Sequence, residues 1–255
     1  MNITQIRNAT LIVEFAGRKF LIDPMLSEMG TQPPFISTPN EHLMNPLVPL
    51  PFSVEDLVDV DAVIVTHTHR DHWDDAASQA IPKTMPLFVQ HEQDREKIVG
   101  DGFQDVRLID GGVFAGVELF KTRGQHGSDE AIEKLGPRLG EVCGVVFRSP
   151  EERTLYLAGD TVWNGFVQEA LDEHAPEVVI LNCGDAQING VGSIIMGKHD
   201  VAAVCAAAPR ARVVATHLEA VNHALLTRAE LRDFLTQQGL IEQVSIPLDG
   251  ERIQA

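Results

Sequence analysis

The chain lacks any long apolar run, has little cysteine and carries few basic residues for its size. No apolar stretch reaches the roughly 18 residues that a membrane-spanning helix requires, so we expect no association with a membrane. The N-terminus does not pair a basic start with a long apolar segment, so we also expect no secretory signal. Three cysteines in 255 residues are too few and too scattered for a disulfide framework. They predict reduced, buried thiols and a cytoplasmic protein.

The shortage of basic residues limits the classes of partner. Lys and Arg total 20 against 37 Asp and Glu, which gives a formal net charge of −17. Nucleic-acid phosphates are bound by clustered Lys and Arg, so this balance argues against a nucleic-acid partner. An anionic small molecule is still compatible with it, because a bound metal ion supplies local positive charge. We therefore expect a small-molecule substrate, and the sequence leaves the oligomeric state open.

The order of apolar and polar segments predicts a single α/β domain over residues 1–255. Two short strands, 9–15 and 19–23, flank a hairpin-like turn, and a longer strand is predicted at 113–122. Residues 25–52 hold six of the 14 prolines among several apolar residues, so we interpret them as a packed flap. Further strands are predicted at 61–66, 87–90, 106–109, 142–148, 154–158, 178–181 and 212–215. Helices are predicted after Ser53 and at 73–80, 91–99, 165–174, 200–208 and 227–239.

One segment, residues 66–72 (THTHRDH), is dense in potential metal ligands and follows a predicted buried strand directly. In an extended segment residues i and i+2 point the same way, so His67 and His69 can reach one ion. The chain must then turn, which lets Asp71 and His72 face a second position. Imidazole and carboxylate are natural ligands of zinc, manganese and iron, and the absence of cysteine favours a catalytic over a structural site. The alternative is a His-rich turn on the surface.

This segment, placed after an apolar strand, resembles the signature of the metallo-β-lactamase superfamily. The resemblance continues in that superfamily's order: His126 in a Gly-Gln-His-Gly segment, Asp160 in Leu-Ala-Gly-Asp-Thr, and His217 in Val-Ala-Thr-His. It covers nearly the whole chain, to about residue 248. The Ile-Asp-Pro segment at 22–24 also resembles the branch that contains ascorbate-6-phosphate lactonase.

The resemblance implies an αβ/βα sandwich, in which two sheets lie face to face and helices cover them outside. It also implies two divalent metal ions, with zinc expected first and manganese or iron as the other candidates. One ion would be held by His67, His69 and His126, and the other by Asp71, His72 and His217, with Asp160 bridging both. His223 competes with His217 for its place, but only His217 follows its predicted strand immediately.

The function implied by these residues is metal-dependent hydrolysis of a small ester, lactone, thioester or phosphoester by a metal-bridging hydroxide. Asp71 would also orient the nucleophile. His223 would donate a proton to the leaving group, or else serve only in packing. Two different classes of function remain open: an iron-dependent redox enzyme on the same fold, and a non-catalytic metal-binding sensor.

Several other residues are candidates for the substrate pocket. Trp163 is a candidate pocket wall or a core residue, and Phe35 and Met44 of the flap would close over the substrate or simply pack. The basic residues near the motifs would hold a phosphate if the substrate has one, although solvated roles are favoured for them. They are Arg70, Lys121, Arg123 and Lys198.

Overall fold

The computed structural model describes residues 1–255 and contains sixteen strands and seven helices. The strands are β1 (Asn2–Arg7), β2 (Thr10–Phe15), β3 (Arg18–Ile22), β4 (Ala62–Val65), β5 (Leu87–Val89), β6 (Val106–Leu108), β7 (Gly112–Phe114), β8 (Val117–Arg123), β9 (Cys143–Ser149), β10 (Glu152–Leu157), β11 (Val178–Asn182), β12 (Gln187–Ile188), β13 (Gly192–Ser193), β14 (Arg212–Thr216), β15 (Val244–Ser245) and β16 (Arg252–Gln254). The helices are α1 (Val54–Leu57), α2 (Asp75–Ala80), α3 (Glu92–Gly100), α4 (Asp129–Leu139), α5 (Gly165–His174), α6 (Lys198–Ala207) and α7 (Arg228–Gln237). None of the helices combines the length and the apolar character that crossing a membrane requires.

The strands form two seven-stranded sheets with the same mixed design. The first has the order β16-β1-β2-β3-β4-β5-β6 and the second the order β15-β14-β11-β10-β9-β8-β7. In the first sheet β1 to β3 pair antiparallel and β3 to β6 pair parallel. In the second, β7 to β10 pair antiparallel, whereas β10, β11, β14 and β15 pair parallel. The carboxyl ends of parallel strands lie at one edge of a sheet, and ligand-binding loops are commonly found at that edge.

Three buried clusters show how the layers pack. Twenty-one buried residues from both sheets fill the space between them, and the rings of Phe20 and Phe147 meet there with centroids 5.4 Å apart. The outer face of the first sheet packs on α1, α2 and α3 in a cluster of 13 residues that includes Ile98. The outer face of the second packs on α5, α6 and α7 in a cluster of 22 residues that includes Leu231. The predicted αβ/βα sandwich is therefore confirmed.

The helices begin where side chains can cap them. Ser53 accepts a hydrogen bond from the backbone of Asp56, and Thr227 forms a capping box with Glu230. Asp74 caps α2 by accepting from the backbone of Ala77 at 2.8 Å. The helix predicted from residue 73 therefore starts at residue 75 instead.

Several other elements differ from the predictions, among them the short strands β12, β13, β15 and β16, which were not predicted. The strand predicted at 113–122 is two strands, β7 and β8, because Ala115 and Gly116 turn the chain with φ values of 49° and 88°. Strand β1 precedes the first predicted strand and was not itself predicted. Its buried residues alternate with polar residues on the other face, and these polar residues hid the strand pattern. Helix α4 was not predicted, because Pro137 and two flanking glycines give its segment the composition of a loop.

The flap, residues 25–52, contains no helix and only one bridge, between Gln32 and Asn45. Its base is tied to the first sheet by Arg7, which is fully buried. The guanidinium of Arg7 donates to the carbonyl oxygens of Met25 at 2.6 Å, Ser27 at 2.8 Å and Val48 at 3.1 Å. Both limbs of the flap are thereby joined to β1.

Candidate metal centre

The first sheet contributes four ligand candidates from one loop. Strand β4 is buried along its whole length, and the chain turns just after it, where the backbone N–H groups of His72 and Trp73 both donate to the carbonyl of His69. This turn brings Asp71 and His72 back toward the end of the strand. The alternation and the turn expected from the sequence are both present.

The second sheet contributes the other three candidates, each from the loop after a different strand. His126 follows β8, Asp160 follows β10 and His217 follows β14. Gly159 has φ +69°, and a Cβ there would collide with the carbonyl of Cys143, so only glycine lets Asp160 enter the site at this angle. His217 has φ 62°, and its N–H donates to the carbonyl of Asn8 at 3.0 Å.

One oxygen of Asp160 lies at the centre of the cluster. Asp160 Oδ2 is 3.2 Å from Nε2 of His72, 3.8 Å from Nε2 of His126 and of His217, and 3.9 Å from Nε2 of His67. The four nitrogens come from both sheets. The separation from His72 lies at the upper end of the hydrogen-bond range, and the other three exceed it. Donor atoms that each lie about 2 Å from one ion are separated by similar distances.

The donor atoms divide into overlapping groups of three within which all atoms lie no more than 4.8 Å apart. The groups are His67, His69 and His126; His67, His72 and Asp160; and Asp71, His72 and His217. In the first, His67 Nε2 and His69 Nδ1 are 3.1 Å apart, and in the last, His217 Nε2 is 3.3 Å from Asp71 Oδ2. The structure thus brings together all seven residues proposed as ligands and excludes the surface-turn alternative.

Hydrogen bonds behind three of the rings orient them with Nε2 toward the centre. His72 Nδ1 lies 2.9 Å from Asp23 Oδ2, and His126 Nδ1 lies 2.9 Å from the carbonyl oxygen of Ile194. His67 Nδ1 lies 3.2 Å from the hydroxyl of Thr66. A proton on each Nδ1 leaves the Nε2 lone pair free for a metal.

Burial favours neutral imidazoles at His67 and His126, whereas nearby charges favour ionised carboxylates at Asp71 and Asp160 and a protonated imidazole at His72. Burial lowers the pKa of His67 well below its usual range and that of His126 to about 4. Burial alone would raise the pKa of Asp71 and Asp160, but the surrounding histidines outweigh it and lower both. Burial would lower the pKa of His72, yet the nearby carboxylates raise it.

These residues fit a divalent metal. His72 Nε2 is buried and has no hydrogen-bond partner, although it points into a cluster of carboxylate oxygens. A buried polar atom without a partner is costly, and coordination to an ion would satisfy it. The set of nitrogen and oxygen donors without sulfur is compatible with zinc, manganese or iron.

Three supporting residues were missed by the sequence analysis. Asn182 donates to Asp160 Oδ1 at 2.7 Å, and Asn8 donates to the backbone carbonyl of Asp71 at 3.1 Å. Asp23 accepts from the backbone and hydroxyl of Thr66 as well as lying against His72. One of them, Asp23, lies in the Ile-Asp-Pro segment that carries a family resemblance. That resemblance gave no reason to expect the contact between Asp23 and His72.

A cavity of about 390 Å³ opens above the cluster. Its polar floor includes His69, Asp71, His126 and Asp160, and its other walls are largely apolar. They include Pro33, Pro34, Phe35 and Ile36 of the flap, Leu139 at the end of α4, and Ile188 and Ile194. This volume is typical of sites for small molecules.

His223 lies in the wall of this cavity and not among the donor groups. Its Nδ1 is buried without a hydrogen-bond partner, and burial lowers its pKa to about 4. The ring of Phe35 lies 4.5 Å from that of His223, measured between centroids, and the guanidinium carbon of Arg70 lies 4.2 Å from the Phe35 centroid.

The remaining pocket candidates lie elsewhere. Trp163 packs against the core cluster under α5 to α7, and Met44 is 47% exposed on the flap, so neither lines the cavity. Among the four basic candidates only Arg70 lines it. Lys121 donates to the carbonyl of Gln90, and Arg123 pairs with Glu169.

Comparisons with known proteins agree with this geometry. Residues 18–218 match the model of a family described as the beta-lactamase superfamily domain. UPF0173 protein YddR of Bacillus subtilis (strain 168) is 47% identical over 253 residues, which are 98% of either chain. The crystal structure of isothiocyanate hydrolase from Delia radicum gut bacteria has 48% identity and a TM-score of 0.97, covering 100% of this chain and 99% of that one. A possible metal-dependent hydrolase from Veillonella parvula DSM 2008 has 43% identity and a TM-score of 0.97, covering 99% of this chain and 98% of that one.

Proposed function

This chain belongs to the beta-lactamase superfamily domain family, and on that premise we propose that it is a metal-dependent hydrolase of isothiocyanates. The observation that carries the proposal is the cluster of seven nitrogen and oxygen donors, four of which lie on the floor of a small, largely apolar cavity. The full-length similarity to a protein named isothiocyanate hydrolase supports the choice of substrate.

The proposed centre holds two divalent ions. His67, His69 and His126 would hold one ion, Asp71, His72 and His217 would hold the other, and Asp160 would contribute to both. The overlapping donor groups and the position of Asp160 Oδ2 between four rings support this assignment. Zinc is proposed first, because its ligands in catalytic sites are most often histidine and carboxylate.

Such ions, when bound, lower the pKa of water toward neutrality and stabilise negative charge that develops on a substrate. Asp71, which lines the cavity, accepts a hydrogen bond from the attacking water and orients it toward the substrate carbon. His223 is a neutral imidazole at neutral pH because its pKa is lowered to about 4. It therefore acts by donating an N–H hydrogen bond to the substrate nitrogen while that atom gains negative charge.

The reaction balances with water as the only co-reactant. An isothiocyanate R–N=C=S and one water give the amine R–NH₂ and carbonyl sulfide. The water oxygen forms a bond to the central carbon, the carbon–nitrogen bond breaks, and both water protons end on the nitrogen. The substrate is neutral, which agrees with the largely apolar walls, and the two arginines that line the cavity, Arg70 and Arg138, are not needed to bind a charged group of this substrate. This substrate shares an electrophilic centre with the esters and thioesters expected from the sequence.

The test is turnover by protein that has been stripped of metal and reloaded separately with zinc, manganese or iron. We expect benzyl isothiocyanate to be consumed and benzylamine to appear in equal amount, with two ions bound per chain. Asp160→Ala should abolish turnover, whereas Asp172→Ala, a change of an exposed carboxylate on α5, should not affect it. Turnover that survives Asp160→Ala would contradict the proposed site. Activity that requires iron and an electron acceptor would favour the redox alternative, and no turnover of any isothiocyanate would overturn the substrate.

The proposed location is the cytoplasm. All three cysteines are buried free thiols, which supports a reducing compartment.

A further inference from the structure

The flap supplies part of the apolar surface of the cavity above the donor cluster. Phe35 is half-buried there, between the ring of His223 and the guanidinium of Arg70. It therefore lines the cavity directly beside His223.

The position of His223 fixes where a substrate's substituent must lie. In the proposed reaction His223 meets the nitrogen of the isothiocyanate, and the substituent R is bonded to that same nitrogen. The first atoms of R must then lie beside the His223 ring, whose centroid is 4.5 Å from that of Phe35. An apolar or aromatic R at this place contacts Phe35, because an aromatic ring offers a large apolar surface at that distance.

The backbone of Phe35 is held by the side chain of Asn222, which is buried on the opposite loop, and by the hydroxyl of Thr38, which donates to the Phe35 carbonyl. The N–H of Phe35 donates to Asn222 Oδ1 at 2.9 Å, and the side-chain amide of Asn45 donates to the same oxygen at 2.9 Å. Asn222 Nδ2 donates to the hydroxyl of Thr38 at 2.9 Å and to the carbonyl of Pro39 at 2.8 Å. An amide has two acceptor and two donor positions, so all four are used, and all four partners belong to the flap.

The backbone of Asn222 adds two more bonds to the same segment. Its N–H donates to Asn45 Oδ1 at 2.8 Å, and its carbonyl accepts from the side chain of Asn40 at 3.1 Å. Asn222 precedes His223 directly in the chain, so one loop supplies both the proposed proton-handling group and the support of the wall beside it. These hydrogen bonds therefore connect the flap to the loop that carries His223.

We propose that Phe35 is a specificity-determining residue that selects an apolar substituent on the substrate, and that Asn222 is the positioning residue that holds Phe35 in place. This inference rests on the proposed function, because it assumes that the reacting nitrogen lies at His223. Beyond the proposed function, the inference names the substituent R as the part of the substrate that is recognised, Phe35 as the residue that contacts it and Asn222 as the residue that positions Phe35.

The test compares two substrates that differ only in size, methyl and benzyl isothiocyanate, on the zinc-loaded protein. Phe35→Ala should lower the ratio of kcat/KM for benzyl over methyl by about tenfold, since an aromatic contact contributes up to about that factor. The loss should lie in the KM for the benzyl substrate, because this contact is present in the ground state as well as the transition state. The ratio for Phe35→Leu should fall between that of the wild type and that of Phe35→Ala. Met29 is also on the flap but is 56% exposed, so Met29→Ala should leave the ratio unchanged.

Asn222→Ala should lower the ratio in the same direction although Phe35 itself is intact. The circular dichroism spectrum and the metal content of Asn222→Ala must match those of the wild type, so that general unfolding is not mistaken for displacement of Phe35. An equal loss for both substrates in Phe35→Ala would overturn the inference while leaving the proposed function standing. A wild-type ratio in Asn222→Ala would overturn the positioning role, and failure of the wild type to hydrolyse either substrate would overturn the proposed function together with the inference.

Discussion

Replacing Asp23 by asparagine tests whether the hydrogen bonds behind the rings control metal binding. Asp23 is buried, and its Oδ1 accepts from the backbone N–H of Thr66 at 2.7 Å. Its Oδ2 accepts from the hydroxyl of Thr66 at 2.8 Å and lies 2.9 Å from His72 Nδ1. Asparagine has the same shape but presents one acceptor oxygen and one donor nitrogen.

The backbone N–H of Thr66 cannot change its role, so the amide oxygen of the introduced asparagine must face it. The amide nitrogen then faces His72 Nδ1, which can accept only if its proton moves to Nε2. A proton on Nε2 occupies the lone pair that would bind the ion, and it points at Asp160 Oδ2, 3.2 Å away. The reverse orientation sets two donors against each other, which costs about 1 to 3 kcal/mol.

We therefore expect Asp23→Asn to weaken binding of one ion about 10- to 100-fold, the usual effect of losing such a partner. This corresponds to about 1.4 to 2.8 kcal/mol. The assay is a zinc titration in competition with a chromophoric chelator, which resolves the two binding steps. Affinity for the ion at His67, His69 and His126 should change less, because Asp23 has no direct bond to those rings.

Asp105→Asn is the matched control, since Asp105 bonds only with Arg107 on the surface. It should leave both binding steps as in the wild type. Wild-type affinity for both ions in a folded Asp23→Asn protein would refute the tautomer argument. Equal weakening of both steps would show that Asp23 acts on the fold and not on His72.

Two further predictions concern stability and thiol chemistry. Arg7→Met should lower the free energy of unfolding by about 3 kcal/mol, because three flap carbonyls lose a charged donor. Urea unfolding measures this, and a loss no larger than that of the surface control Arg18→Met would contradict it. Burial raises the pKa of Cys183 to about 12 and that of Cys205 to about 11, so native thiols should resist iodoacetamide at pH 8 and unfolded ones should react. The free energy of unfolding should fall as pH rises above about 8.5, because the thiols of the unfolded chain ionise at lower pH than those of the native protein. Fast labelling of the native protein by iodoacetamide would contradict the burial of these thiols.

The layered fold was predictable because its signals are local. The buried strand β4, for example, is a continuous apolar run, and the capping residues Ser53 and Thr227 mark helix starts that the structure contains. The turn at Ala115 and Gly116 was missed although its backbone matches the turn at Ala16 and Gly17, which was predicted, because apolar residues on both sides gave the segment the pattern of one continuous strand. Strand β16 also escaped prediction, because it is short and only its pairing with β1 makes it a strand.

The ligand candidates were predictable because each directly follows a strand or lies in the HTHRDH turn. Their assignment to two ions, and the likeness to the lactonase branch, stay predictions. The residues that orient them were not predictable, because Asn8, Asp23 and Asn182 are ordinary polar residues until the fold brings them to the site. Asn222 is the clearest case: its partners lie about 180 residues away along the chain.

The division of the cluster between the two sheets also sets when the site can form during synthesis. The first four donors leave the ribosome together, within residues 67–72, but His126, Asp160 and His217 appear one by one. A chain stopped before residue 217 holds an incomplete donor set, however well its first sheet has folded. Completion of the cluster therefore requires both halves of the protein, and the ion proposed at Asp71, His72 and His217 could have its full donor set only in a chain made beyond residue 217.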